Sequence, residues 1–169
     1  MTDTRRLIIL GLFVSVAGVL HAVEAWLPLP VPVPGVKLGL ANIVSLVVIV
    51  WFGWRDALAV AAVRVVLGTL LGGVFLGPAF ALGLSGAAAS TLAMAYAWSQ
   101  WRPALSLVGV SGLGAAVHNL AQIAAAAVLV SNAALLWYLP YLLLFALPTG
   151  LATGFTAAYF LEKLPRADG

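Results

Sequence analysis

The sequence contains no cysteine and very few charged residues. Asp, Glu, Lys and Arg together make up 8% of its 169 residues, whereas 64% are hydrophobic. A soluble globular domain carries about 25% charged residues, so this chain cannot cover a surface that faces water. The composition therefore excludes a soluble domain, a nucleic-acid-binding protein and a disordered protein. It leaves an integral membrane protein in contact with the lipid bilayer, without disulfides or thiolate metal sites.

The sequence also lacks the motifs that common enzyme reactions require. It has no P-loop for a nucleotide and no H-E-x-x-H motif, and its two histidines stand far apart, at positions 21 and 118. The aspartates stand at positions 3, 56 and 168, whereas magnesium-dependent chemistry on a diphosphate needs clustered carboxylates. These absences predict a protein that is not an enzyme and that holds no metal or cofactor.

Six apolar runs predict an all-α membrane protein, with one domain of six transmembrane helices over residues 1–169. A spanning helix needs about 20 apolar residues. The predicted spans are 7–26, 37–52, 57–76, 79–98, 105–130 and 135–161. Between the first two spans, residues 28–35 alternate proline with apolar residues. This alternation forbids a helix and favours extended polyproline II structure.

The positions of the basic residues predict the orientation of these spans. If the N-terminus is cytoplasmic, the outer ends of the spans carry only Lys37. The inner ends carry six basic residues, which are Arg5, Arg6, Arg55, Arg102, Lys163 and Arg166. Because cytoplasmic loops of membrane proteins are enriched in Lys and Arg, we expect a multi-pass protein of the cytoplasmic membrane with both termini inside the cell.

Small residues mark the places where helices can approach closely. The first span carries a small-residue stripe at spacings of 4, 3 and 4, formed by Gly11, Ser15, Gly18 and Ala22. Such a face lets another helix pack against the backbone, and we interpret it as a docking surface for another protein, with packing inside the bundle as the alternative. Two shorter pairs, Gly68/Gly72 and Gly150/Gly154, favour internal packing.

Several polar residues lie where a bilayer makes them costly. Arg64 follows Asp56 by eight positions, which places it about 12 Å further along a helix and near the middle of the membrane. His118 and Gln122 share one face of the fifth span at a spacing of four, with Asn119 beside them. Charged or polar groups within a membrane-spanning helix are functional candidates by default.

Together these polar residues predict a substrate-binding site in the outer half of the bundle. Its candidate residues are Glu24, Lys37, Asn42, Arg64, His118, Asn119 and Gln122. We expect a polar cavity that opens outward, with residues 28–35 as a semi-rigid lid. The alternatives are an arginine that snorkels to the inner face, hydrogen bonds that only join helices, an interfacial Glu24 and a solvated Lys37.

Five motifs together resemble one known family. They are Glu24-x-x-Leu-Pro28, Pro34-Gly-Val-Lys37-Leu-Gly-Leu-Ala-Asn42-Ile, Arg64-x-x-Leu67, His118-Asn119-x-x-Gln122 and Tyr138-Leu-Pro140. The resemblance is to the Gx transporter family, also catalogued as heptaprenyl diphosphate synthase component I. That family is similar to the S components of energy-coupling factor (ECF) transporters. The resemblance implies six helices, an outward-facing site, a lid after the first helix, and a small-residue face that docks on a scaffold subunit driven by two ATPases.

The sequence thus predicts a substrate-binding membrane subunit for uptake of a small organic solute that is anionic or amphipathic. Separate ATPase and scaffold subunits would drive it. One alternative is a non-catalytic membrane component that assists an enzyme of isoprenoid or quinone biosynthesis, namely a heptaprenyl diphosphate synthase. Another is a small scaffold protein without a ligand.

Overall fold

The computed structural model describes residues 3–26 and 39–164. Within these residues the chain forms six α-helices and one short 3-10 helix, and contains no strand. The α-helices are α1 (Asp3–Trp26), α2 (Asn42–Phe52), α3 (Trp54–Leu71), α4 (Pro78–Gln100), α5 (Leu107–Leu129) and α6 (Leu139–Lys163), and the 3-10 helix (Ala133–Tyr138) precedes α6. The all-helical fold predicted from the sequence is confirmed.

Glycine and proline set several helix boundaries. Gly53, with φ of 93°, turns the chain between α2 and α3. The third helix ends at Leu71 rather than at the predicted residue 76, because Gly72 is its C-cap and Gly73 adopts a φ of 67°. A left-handed residue after a helix end cannot continue the helix. Pro140 lies in the first turn of α6, where its missing N–H costs nothing.

Helix α2 is shorter than the span predicted for residues 37–52. It begins at Asn42 and has 11 residues, which corresponds to about 16 Å and only about half of a bilayer core. Gly39 precedes it with a φ of 85°, which is not helical. The backbone at residues 39–41 therefore lies inside the bundle as an irregular segment.

Consecutive helices run antiparallel, and α1 runs parallel to α3. Arg6 near the start of α1 forms an ion pair with Asp56 near the start of α3, with 2.6 Å between Nη2 and Oδ2. Near the C-terminal end of α2, the ring of Trp51 lies 5.6 Å from the ring of Phe160 in α6 and 5.8 Å from the ring of Phe13 in α1. The beginning of α1 and the end of α6 thus lie at the same end of the bundle.

Glycines let α5 and α6 pack closely. A Cβ atom at Gly150 would lie 2.7 Å from the Cα atom of Gly112, and one at Gly154 would lie 2.7 Å from that of Val108. Between them, the hydroxyls of Ser111 and Thr153 are hydrogen-bonded at 2.6 Å. The internal packing predicted for Gly150 and Gly154 is therefore confirmed.

The described residues contain four helical segments that are long and apolar enough to cross a membrane. These are Asp3–Glu24, Pro78–Gln100, Leu107–Leu129 and Ala133–Lys163. They identify a multi-pass membrane protein. Helix α2 is short and α3 carries three charged residues, so a count of six spans and a cytoplasmic location of both termini stay predictions.

Because the chain has no cysteine, single cysteines can report the orientation. Thr4→Cys and Glu162→Cys lie at exposed positions at one end of the bundle, and Ala134→Cys is exposed at the other end. We expect a membrane-impermeant thiol reagent to label only Ala134→Cys in intact cells, and all three in opened membranes. Labelling of Thr4→Cys or Glu162→Cys in intact cells would contradict the predicted orientation.

Candidate functional site

Polar side chains from four helices meet at Asn42, the first residue of α2. The Nη2 atom of Arg64 in α3 and the hydroxyl of Ser90 in α4 donate to Asn42 Oδ1, at 3.4 and 3.3 Å. The Ser90 hydroxyl also lies 3.5 Å from Nδ1 of His118 in α5. We call Asn42, Arg64, Ser90 and His118 the central polar cluster. It joins three residues predicted from the sequence to one that was missed.

The central polar cluster is shielded from solvent. Asn42 is 3% exposed, Arg64 2%, Ser90 0% and His118 3%. The burial differs from the expected cavity that opens outward, and it also differs from an arginine that snorkels to the membrane surface. An arginine held this deeply keeps its charge, so its surroundings must supply acceptors.

Two glycines bring the backbone close to His118 from opposite sides. A Cβ atom at Gly39 would lie 3.2 Å from the imidazole ring and 2.9 Å from Asn42 Nδ2. A Cβ atom at Gly86 in α4 would lie 2.9 Å from His118 Cε1 and 2.8 Å from Gln122 Cγ. The structure therefore fixes the position of the imidazole, and it places Gln122 beside His118.

Glu24, near the end of α1, holds the irregular backbone that precedes α2. Its carboxylate accepts hydrogen bonds from the backbone N–H groups of Gly39 and Leu40, the second at 3.2 Å. Irregular backbone at membrane depth needs such partners, because no water is present to replace them. Glu24 is buried and stabilises the positive charge of Arg64 electrostatically. Its burial differs from the alternative of a solvated interfacial carboxylate.

Asn119 points to a different neighbour from the other candidates. Its Nδ2 atom donates to the backbone carbonyl of Leu142 in α6 at 2.8 Å. This bond joins α5 to α6. It agrees with the alternative in which such polar residues only join helices. Asn119 is fully buried and follows His118 directly in the chain.

Several buried donors in this region have no partner. Within residues 3–26 and 39–164, neither Arg64 Nε nor Asn42 Nδ2 has a hydrogen-bond acceptor, and the hydroxyls of Ser45 and Thr91 are also without one. Most buried polar groups in proteins are paired, and each exception needs an explanation. Here two of the exceptions belong to side chains that already touch each other, Arg64 and Asn42.

Two predicted features lie outside the described residues. These are Lys37 and the predicted lid at residues 28–35. Their place in the site stays a prediction.

The small-residue stripe of α1 lies on the outside of the bundle. Gly11, Ser15 and Ala22 are exposed and Gly18 is half-buried. A Cβ atom at Gly11 or Gly18 would meet nothing within 4 Å. The stripe therefore does not serve packing within the described part of the chain, in contrast to Gly150 and Gly154.

A family model described as heptaprenyl diphosphate synthase component I matches residues 13–160. The chain belongs to this family. The match runs from the first half of α1 to the last turns of α6, and it confirms the membership predicted from the motifs. Neither a curated protein nor a solved structure matches the chain. In this member of the component I family, the central polar cluster lies well inside the matched region.

The close approach at Gly86 predicts a sharp difference between two glycine substitutions. Gly86→Ala places a methyl group against His118 and Gln122, and overpacking of this kind costs about 1–3 kcal/mol. Gly112→Ala is the matched control, because its Cβ meets nothing within 4 Å and alanine favours a helix by about 0.5–1 kcal/mol. Thermal unfolding in detergent should show a lower midpoint for Gly86→Ala and an unchanged or higher one for Gly112→Ala. Equal midpoints would contradict the described packing.

Proposed function

We propose that this protein is the substrate-binding subunit of a transporter for a small organic solute that is anionic or amphipathic. In this proposal it resembles the S components of ECF transporters and works with separate ATPase and scaffold subunits. The observation that carries the proposal is the pair of unpartnered buried donors on Arg64 and Asn42. The site is built from side chains of facing helices, which is where helical bundles commonly place ligands.

The energetics support a ligand at the central polar cluster. A charged side chain at the centre of a bilayer costs roughly 3 kcal/mol on insertion scales. If Arg64 only joined helices, its donors would be expected to find acceptors within the bundle, yet Nε has none within the described residues. A bound solute with acceptor groups would supply what these donors need.

The exposed stripe on α1 supports the part of the proposal that concerns partners. Transmembrane helices approach each other closely where small residues leave the backbone uncovered. Gly11 and Gly18 leave the backbone of α1 uncovered on the outside of the bundle. A scaffold subunit that packs a helix against this surface fits the proposal.

The description of the family favours a second candidate function. A component of a heptaprenyl diphosphate synthase would assist a prenyl-transferring enzyme from within the membrane. Affinity purification of the tagged protein from its native membrane separates the two functions. ATPase subunits in the purified complex would support the proposed transport function. A prenyl diphosphate synthase in their place would support the second candidate function.

Mass spectrometry of the purified protein tests whether it binds a solute at all. We expect a small organic compound to be released on denaturation, at about one molecule per chain. A protein purified under mild conditions that releases no small compound other than lipid and detergent would contradict the proposed function and favour a scaffold without a ligand.

The stripe predicts the effect of Gly18→Leu. A Cβ atom at this position meets no other atom of the described chain within 4 Å, so the isolated protein should keep its thermal midpoint. Assembly with the partner subunits should be lost, because the leucine covers the docking surface. Gly150→Leu is the matched control, because its side chain would meet the backbone of Gly112 at 2.7 Å and destabilise the fold. Unfolding of Gly18→Leu in isolation would show that the stripe serves internal packing.

A further inference from the structure

The exposed basic residues of the described chain lie at one end of the bundle, where α1 begins and α6 ends. They are Arg5 and Arg6 in α1, Arg55 in α3, Arg102 between α4 and α5, and Lys163 in α6. One apolar cluster contains residues from the ends of α2, α4 and α6 and from the beginning of α5, so these segments are neighbours. The loops at the opposite end, residues 72–77 and 130–138, contain no charged residue.

One of these cations is already paired with a carboxylate. Arg6 contacts Asp56 Oδ2 through Nε at 3.1 Å and through Nη2 at 2.6 Å. The other carboxylates at this end of the described chain are Asp3 and Glu162. With the Arg6–Asp56 pair set aside, four cations remain against two carboxylates, so this end has an excess of positive charge.

Three of the four remaining cations lie over aromatic rings. The distances from the cationic group to the ring centroid are 4.0 Å for Arg102 on Trp98, 5.4 Å for Arg55 on Trp54 and 5.8 Å for Lys163 on Tyr159. We call Arg55, Arg102 and Lys163 the stacked cations. A ring face attracts a cation but does not neutralise it, and none of the three forms an ion pair within residues 3–26 and 39–164. The stacked cations are therefore held in place and stay available to an anion.

The rings indicate the depth of the stacked cations in the membrane. Tryptophan and tyrosine concentrate at the boundary between the bilayer and water, at the level of the lipid headgroups. Trp54 is the first residue of α3, and Trp98 and Tyr159 lie near the ends of α4 and α6. A long basic side chain at this level keeps its aliphatic part against apolar surface and its charge in the polar headgroup layer.

We propose that the stacked cations bind the headgroups of anionic phospholipids in the leaflet that surrounds this end of the bundle. An anionic phospholipid supplies a net negative charge that a zwitterionic one lacks, because the latter carries its own ammonium group. A basic residue at an anionic bilayer surface gains an attraction that corresponds to about fivefold in binding. This binding is independent of the proposed transport function, because no stacked cation belongs to the central polar cluster.

A lipid fits the stacked cations better than a soluble phosphate does. All three side chains are exposed, and a free anion at an exposed cation is weakly held because water and salt screen the attraction. The headgroup of a neighbouring lipid is confined beside the protein, which raises its effective concentration. The bilayer thus presents the anion at the level where the rings hold the cations.

The test uses the full-length protein in detergent, incubated at low ionic strength with an equimolar mixture of phosphatidylglycerol and phosphatidylcholine that carry the same acyl chains. The protein is then purified again, and its bound lipids are quantified by mass spectrometry. We expect phosphatidylglycerol to exceed phosphatidylcholine at least about fivefold. The ratio should fall towards one in about 1 M salt, where charges are screened beyond about 3 Å.

Arg102→Gln should lower this ratio, whereas Arg102→Lys, which keeps the charge, should retain most of it. Arg5→Gln is the matched control, because it removes one exposed and unpaired arginine from the same end without removing a stacked cation. Its ratio should stay close to that of the unaltered protein. An equal loss in Arg5→Gln and Arg102→Gln would assign the preference to net charge alone and overturn the role of the stacked cations.

Two further outcomes would overturn the binding of lipid itself. Equal retention of both lipids by the unaltered protein would contradict it and would favour an acidic surface of a partner protein as the counterpart of these cations. Displacement of phosphatidylglycerol by inorganic phosphate, but not by chloride at the same ionic strength, would show that this end binds soluble phosphate.

Discussion

The buried guanidinium of Arg64 is the constraint on which the site depends. It is 2% exposed, in a chain that places it about 12 Å from the charged end of its helix. Because the side chain is buried, bulk water does not satisfy it, so the neighbouring helices must present acceptors. Asn42 supplies one from the first turn of α2, and Ser90 shares the same oxygen. The first residue of α2 thereby contacts both α3 and α4.

The short α2 begins beside the guanidinium of Arg64. A full-length span would carry helical backbone past Arg64 and bury its own polar groups within the helix. Because α2 begins at Asn42, backbone N–H groups and a helix end lie at the depth of the guanidinium instead. Glu24 holds this irregular backbone from α1, and His118 packs against it at Gly39. The segment is thus fixed by one carboxylate and one imidazole ring.

The sequence predicted the fold class and several members of the site, because composition and the cost of polar groups in a bilayer are visible without a structure. Arg64 and His118 stood out as polar residues within apolar runs. Ser90 did not, because serine among alanines and glycines in α4 gives no signal of its own. The start of α2 depends on the φ angle of Gly39, and the role of Glu24 depends on backbone amides 15 and 16 positions away. Asn119 shares the face predicted by helical spacing, yet its partner is the carbonyl of Leu142 on another helix, which no pattern within α5 could indicate.

If Arg64 serves a ligand, the chain does not need this side chain for its own stability. The most direct measurement is the thermal midpoint of the ligand-free protein, compared among the unaltered chain, Arg64→Gln, Glu24→Gln and the double variant. We expect Arg64→Gln to leave the ligand-free midpoint nearly unchanged, because Nε of the guanidinium has no acceptor within the described residues and Nη2 makes one hydrogen bond of 3.4 Å. A large loss of stability in Arg64→Gln that Glu24→Gln partly restores would contradict it. That result would show that Arg64 and Glu24 form a structural pair, in which removal of one partner leaves the other charge buried alone.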